Sequence, residues 1–428
     1  MKILRKAAAA TKAAAGKAVL NANAPRYAPN RVGHQGGAAE PAWLDLRSAL
    51  DVSSRKSNAL PEPLRRHTKR ATTVAFCSLS RLYLPKARIF AESLKRFHPD
   101  WEYHIIINDA WPEDEGIEID DIDLVVPIRH LSIDRFHSWV FGMDAEELCC
   151  ATRPYYFRDL MEAGYERVFF FDPDIEVFAP LDPLVDMLDS YSVLLTPHMD
   201  KPAHSDAEIL YSEMSVLAHG VYNLGFLGAR NDANGRAVID FWKHRLTRYS
   251  LKEHARGLWT DQKWFNLVPV YFDGVHVLRH QGCNVASGNI SGRPVTEREG
   301  RYFAGEDELL FFHFSGYDRG VPKRMFEVFR QFNPVLEELF ALYQRKHKIA
   351  SAATPISEPR WAFSQFDNGA PLPWSVRKFY RDTLDHRLMY RDPFFAEADP
   401  SFYQHARHTG FDWIAAEYDP PGKLRRYF

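Results

Sequence analysis

Cysteine is scarce in this chain, with 4 residues among 428. Cys77, Cys149, Cys150 and Cys283 form no CxxC pair and no regular framework, and the adjacent Cys149 and Cys150 are poorly placed to bridge each other. This pattern excludes a disulfide scaffold and reads as small buried thiols in a reducing compartment, which points to the cytoplasm. Long hydrophobic runs are missing too: no segment reaches the roughly 18 apolar residues that a membrane span needs. Nor does one sign of charge dominate. The 54 Lys+Arg against 56 Asp+Glu leave a formal net charge of -2, which excludes the strong basic excess of a dedicated nucleic-acid binder.

Large apolar side chains are plentiful. Hydrophobic residues make up 46% and aromatic residues 14% of the chain, enough for a substantial core and too many for a mostly disordered protein. At about 100–200 residues per domain, the length fits two to three domains or one large one. Residues 1–40 stand apart: they are Ala-rich and basic, with no acidic side chain before Glu40. They lack the continuous apolar stretch of a signal peptide and read as a disordered tail and linker. The competing reading is a short basic amphipathic helix resting on an anionic membrane surface, a peripheral contact at the inner face of the membrane.

From about residue 71, short β-branched and aromatic runs alternate with helical stretches, which predicts an α/β domain over 70–330. Strands are expected at Thr72–Cys77, Tyr103–Asn108, Arg167–Asp172, Ser192–Thr196, Gly225–Gly228, His276–Arg279 and Leu309–Phe314. Pro154 reads as the start of a helix ending at Ala163, with Gly164 as its C-cap. Phe326–Lys346 reads as one long amphipathic helix. Residues 331–428 read as an aromatic-rich, irregular extension, either a small satellite core packed on the α/β domain or an acceptor or partner site.

The most informative segment is Val168-Phe-Phe-Phe-Asp172-Pro173-Asp174-Ile-Glu176. On extended backbone, residues i and i+2 point to one side, so Asp172 and Asp174 can converge on one ligand. Two carboxylates at a strand's C-terminal end suit a hard divalent cation, at the sheet edge where ligands bind in open α/β folds. The bland alternative is an acidic turn. Downstream lie Tyr222-Asn223-Leu-Gly225, Trp259-Thr-Asp261-Gln262 and Phe311-Phe-His313-Phe-Ser-Gly316, each placing polar groups beside an apolar run. His313 offers a nitrogen to complete a metal shell, or is a hydrogen-bonded core histidine.

Together these motifs resemble the GT-A glycosyltransferases, most closely the retaining family 8 type of bacterial lipopolysaccharide transferases and glycogenins, over residues 71–325. The resemblance implies a Rossmann-like, mixed, mostly parallel sheet flanked by helices. It implies that Asp172, Asp174 and His313 hold Mn²⁺ or Mg²⁺ against the diphosphate of a nucleotide-sugar donor, UDP-linked. Cys77, Ser78 and Tyr83 would cradle the nucleoside, and Arg153 would lie near the donor sugar and phosphates. Asn223 and Asp261 would hold sugar hydroxyls, and Gln262 would lie beside the anomeric carbon. One departure concerns H-x-x-G, which the family often follows with x-x-Lys to contact the leaving phosphate. Here Gly316 is followed by Arg319 at that place, with Lys323 further on. The expected activity is transfer of a sugar, with retention, to a glycan or lipid-linked acceptor in bacterial surface-polysaccharide assembly. The alternatives are a nucleotidyltransferase acting on sugar phosphates and a non-catalytic carbohydrate-binding protein. The former usually carries a Gly-rich phosphate loop near its first strand, and residues 77–85 contain no glycine.

Overall fold

Apolar runs bounded by charge form the strands, and the longer amphipathic stretches between them form the helices. The computed structural model describes residues 60–109, 119–329, 333–354 and 361–409, so the 1–40 segment lies outside it. In chain order the strands are β1 (Thr73–Leu79), β2 (Glu102–Ile107), β3 (Leu124–Pro127), β4 (Arg167–Phe171), β5 (Ile175–Val177), β6 (Val193–Pro197) and β7 (Tyr222–Arg230). Then follow β8 (Leu251–Glu253), β9 (Leu258–Thr260), β10 (Val275–Val277), β11 (Val285–Ala286), β12 (Val295–Arg298), β13 (Arg301–Ala304), β14 (Asp307–Glu308) and β15 (Phe311–His313). The main sheet has the order β10-β6-β7-β4-β1-β2-β3. Only β7 runs against its neighbours there; every other pairing is parallel. The expected mixed, mostly parallel α/β sheet flanked by helices is therefore what forms. β4 lies between β1 and β7, and its four apolar residues are fully buried, as a strand covered on both faces requires. A second, three-stranded sheet, β11-β15-β5, begins immediately after β4.

Two helix expectations are corrected. The helix carrying Arg153 runs Ala145–Glu162, with Pro154 in its interior. Its start is set by a capping box, in which the Asp144 carboxylate accepts from Glu147 N–H and the Glu147 carboxylate accepts from Asp144 N–H. Packing of its buried face carries the helix across the N–H that Pro154 lacks. The stretch expected as one helix at Phe326–Lys346 is two, Val321–Phe329 and Pro334–Ala352. Pro334 cannot continue a preceding turn, and the Asn333 side chain caps the new helix by accepting from Val335 N–H.

The C-terminal region is more regular than expected, with helices at Trp374–Asp382, Leu384–Met389 and Phe402–His408. It shares the main core rather than forming a satellite. Phe141 meets the rings of Phe366, Tyr380, Phe394 and Phe402 at centroid separations of 4.8–5.8 Å. Arg377 and Arg381 are buried: Arg377 donates to the Phe141 carbonyl (2.8 Å), and Arg381 donates to Glu147 (3.0 Å) and Glu253 (2.8 Å). All four cysteines are free, and none of the described helices is long and apolar enough to cross a membrane.

One buried acid is poorly served. Asp159, on the Ala145–Glu162 helix, has a carboxylate oxygen with no hydrogen-bond partner. Burial pushes its carboxyl up from 3.8 to about 7, with Lys243 opposing. The folded state thus keeps a proton that the unfolded chain releases near pH 4, so stability is full below that pH and drains away as pH rises to about 7. Asp159→Asn is expected to match the parent at pH 4 and exceed it by about 2–4 kcal/mol at pH 8. Urea unfolding at the two pH values checks this.

Candidate metal and donor site

The site forms where the chain leaves one sheet for the next. β4 pairs with β7 up to Phe171 opposite Phe226, and the Asp172 N–H then donates to the Gly225 carbonyl at 2.8 Å. Asp172-Pro173-Asp174 is a turn, closed by Ile175 N–H to the Asp172 carbonyl at 3.1 Å, rather than the extended run expected from sequence. β5 then joins the second sheet, where Ile175 is paired with His313 of β15. Phe314 N–H donates to the Asp174 carbonyl at 2.8 Å, locking the two segments together. As a result His313 Nε2 lies 3.1 Å from Asp174 Oδ1 and 3.7 Å from Asp172 Oδ2. The ligand-type atoms of all three residues fall within 4.8 Å of one another.

The surroundings fit a divalent cation. His313 Nδ1 is 3.2 Å from Asn284 Oδ1, and the Asn284 amide nitrogen donates to Thr196 Oγ1 (2.8 Å) and the Asn223 carbonyl (3.2 Å). That orientation puts the proton on Nδ1 and turns Nε2 toward the two carboxylates, the arrangement in which a ligating imidazole is held by its outer partner. The space between Nε2 and the oxygens calls for positive charge, either a proton on the ring or a metal ion, and a two-carboxylate, one-imidazole donor set suits Mn²⁺ or Mg²⁺. Gly225 makes room for the ring, since a Cβ there would stand 2.5 Å from His313 Cε1.

Charge compensation is built in. Arg153, buried and stacked over the Phe170 ring at 4.2 Å, donates to Asp172 Oδ1 (2.7 Å), Asp261 Oδ2 (2.9 Å) and the Leu224 carbonyl (3.1 Å). Lys86 Nζ approaches Asp174 Oδ2 at 4.0 Å. Burial pushes the Asp174 carboxyl up, but His313 and then Lys86 outweigh it and hold it at about 2. For Asp172 burial wins, and its carboxyl stays above the ordinary value despite Arg153. Burial lowers the His313 imidazole, but the Asp174 charge more than reverses that and raises it.

The other expected site residues divide. Asp261 reaches Arg153 from the end of β9, where Thr260 adopts φ 43°, a strained conformation for a β-branched residue. Asn223 lies near the start of β7, where its Oδ1 accepts from Gly225 N–H at 2.9 Å. Gln262 is clipped in place, donating to the His219 carbonyl (3.0 Å) and accepting from Leu224 N–H (3.3 Å). The two cradle side chains on β1 are not open to a ligand. Cys77 is buried in the core, and the Ser78 hydroxyl is taken up by the Cys149 carbonyl (2.7 Å), Thr152 (2.8 Å) and Asn108 (2.8 Å). Tyr83 is 40% exposed beside Lys86. Gly316 takes the left-handed φ of 68° that opens the turn bearing Arg319, and both Arg319 and Lys323 are exposed. Asn284, Thr260 and Lys86 were not foreseen. Only the polar Asn284 beside the apolar Val285-Ala286 pair could have signalled itself.

No family model matches the chain. Two curated relatives, both from Bacillus subtilis (strain 168), are uncharacterized proteins. YfnD is 27% identical over 175 residues, which cover 40% of this chain and 54% of that protein, so the match spans about half of its length. YfnF is 25% identical over 281 residues, 63% of this chain and 90% of that protein. Solved structures with similarity include the galactosyltransferase LgtC in complex with donor and acceptor sugar analogs, at TM-score 0.37 and 14% identity over 64% of this chain and 99% of that one. Another is a glycosyltransferase involved in glycosylation of the major capsid of PBCV-1, at TM-score 0.34 and 12% identity over 59% and 97%. A third is mouse xyloside xylosyltransferase 1, at TM-score 0.35 and 14% identity over 57% and 97%. At these scores the likeness carries no weight for function, which has to come from the side chains themselves.

Because His313 depends on the missing Cβ beneath it, Gly225→Ala is expected to weaken Mn²⁺ binding about 10- to 100-fold while leaving the circular dichroism spectrum unchanged. Parent-like binding in an electron paramagnetic resonance titration would exclude His313 as a ligand.

Proposed function

We propose that the chain is a metal-dependent glycosyltransferase that moves a sugar from a UDP-linked donor to a glycan or lipid-linked acceptor in bacterial surface-polysaccharide assembly, with retention. The observation that carries this reading is the convergence of Asp172, Asp174 and His313 at the C-terminal edge of the sheet, with buried Arg153 behind them. Bound there, Mn²⁺ or Mg²⁺ supplies Lewis-acid neutralisation of the leaving diphosphate.

The protein's own part is orientation. Arg153 fixes Asp172 and Asp261 relative to each other; holding the donor's sugar hydroxyls is the role the family resemblance gives Asp261 and Asn223. Among the described residues the Gln262 carbonyl oxygen takes one long bond, from Leu224 N–H, which leaves a lone pair to face developing positive charge at an anomeric carbon. An amide is a poor nucleophile, which favours acceptor attack on the leaving-group side over a covalent intermediate.

Hydrolysis by a carboxylate pair is disfavoured, because a glycosidase needs its two carboxyls roughly 5–10 Å apart with a sugar between them. Here both acids lean on one imidazole. The absence of glycine from residues 77–85 disfavours a nucleotidyltransferase. A binding module has no need to bury two carboxylates on one guanidinium beside a third acid and an imidazole.

Calorimetry with UDP should show binding that requires Mn²⁺ or Mg²⁺ and is lost in Asp174→Ala. A screen of UDP-sugars for slow hydrolysis should then identify the donor, and NMR of the first product should show the donor's anomeric configuration kept. Binding of glycan alone, without metal-dependent UDP binding, would overturn the assignment. An inverted product would overturn retention.

A further inference from the structure

The positions that the family resemblance assigns to the leaving phosphate, Arg319 and Lys323, are exposed, whereas a different cation lies inside the site. Lys86 sits in the first turn of the Leu84–Phe97 helix with its side chain only 4% exposed. Its ammonium lies 4.0 Å from Asp174 Oδ2, the oxygen turned away from His313, and 4.5 Å from the centre of the Tyr83 ring. A buried ammonium needs an anion close by. The carboxylate that serves it is Asp318, which is hydrogen-bonded to Lys86 Nζ. Asp318 is itself 47% exposed and stands on a three-residue turn, Tyr317–Arg319, bounded by Gly316 and Gly320, both at φ 68°. Lys86 therefore borders the metal-ligand cluster on one side, while on the other it holds a replaceable, solvent-facing anion on a backbone flanked by two conformationally free glycines.

We infer that Lys86 is the cation that receives the donor's diphosphate, and that Asp318 stands in for that diphosphate in the free protein. The inference rests on the reading of the site as a nucleoside-diphosphate site. A diphosphate held at Asp172, Asp174 and His313 brings more negative charge to Lys86 than one carboxylate does, and it repels Asp318. Donor binding thus exchanges one ion pair for a stronger one and frees the turn that carries Arg319.

The two partners have opposite signs in this exchange, which separates it from a merely structural pairing. With the full chain in Mg²⁺, Lys86→Met is expected to weaken binding of both UDP and inorganic pyrophosphate about 10- to 100-fold. Binding of Mn²⁺ alone should not weaken in this variant, because the ammonium beside Asp174 is a like charge to the metal. Asp318→Asn is expected to tighten UDP and pyrophosphate by at least about threefold, since it removes both a competitor and a like charge. The inference is overturned if Lys86→Met binds UDP as the parent does, or if Asp318→Asn leaves affinity unchanged or weaker. Should Lys86→Met not fold, Asp318→Asn decides alone. Failure of the parent to bind UDP or pyrophosphate with metal would instead bring down the site reading itself.

Discussion

Two carboxylates separated by one proline cannot be held side by side in a protein interior unless positive charge surrounds them. Asp172 and Asp174 meet that condition with three cationic or cation-accepting groups from three separate elements. Arg153 comes from a helix against the main sheet, Lys86 from the helix after β1, and His313 from the last strand of the second sheet. Each contact engages a different carboxylate oxygen or a different side of the pair, so the charges are balanced without being quenched. The oxygens that face His313 keep their capacity to bind a further cation. The site is thus prepared electrostatically before any ligand arrives, which is the form that enzymatic charge stabilisation takes.

The rest of the fold keeps those three elements in register. Glu176, next to Ile175 in β5, is buried against Lys346 of the Pro334–Ala352 helix. Tyr343 of that helix stacks on Phe314, centroid to centroid at 3.9 Å. This brace packs against β5, which follows Asp174, and against the end of β15, which bears His313. The residues beyond 361 do the same for Arg153, since Arg377 and Arg381 pin the segment that leads into its helix and the capping-box Glu147. Aromatic density and interspersed arginines in the C-terminal region, which by composition suit a sugar-stacking surface, are largely spent on this bracing. At the start of β2, Glu102 plays a comparable structural part, gathering His67 (2.6 Å), Tyr165 (2.6 Å), His104 (3.1 Å) and Ala71 N–H (3.0 Å) onto one buried carboxylate.

Much of the strand pattern could be read directly, because a strand buried on both faces shows itself as a short apolar run, and the Arg167–Asp172 run is β4 except for Asp172, which enters the turn. Helix boundaries were harder. Pro154 looked like a start because proline favours the first turn, yet packing overrode that local preference. Cys77 and Ser78 lie in the motif for a nucleoside cradle, but β1 is central enough that both faces are covered, and their side chains turn into core and helix contacts.

By itself, the sequence determined an α/β domain, a strand ending in paired acids, and a set of polar residues in Asn223, Asp261, Gln262 and His313 that belong beside apolar runs. These are local properties, carried by neighbours a few residues apart. Only the tertiary structure decided that Asp172 and Asp174 converge through a turn between two sheets, that His313 closes on them through its pairing with Ile175, and that Lys86 with Asp318 borders the same cluster. Those relations depend on strand register and on which face a helix buries. Both are set by long-range packing and by the need to neutralise buried charge, and neither leaves a mark in the spacing of adjacent residues.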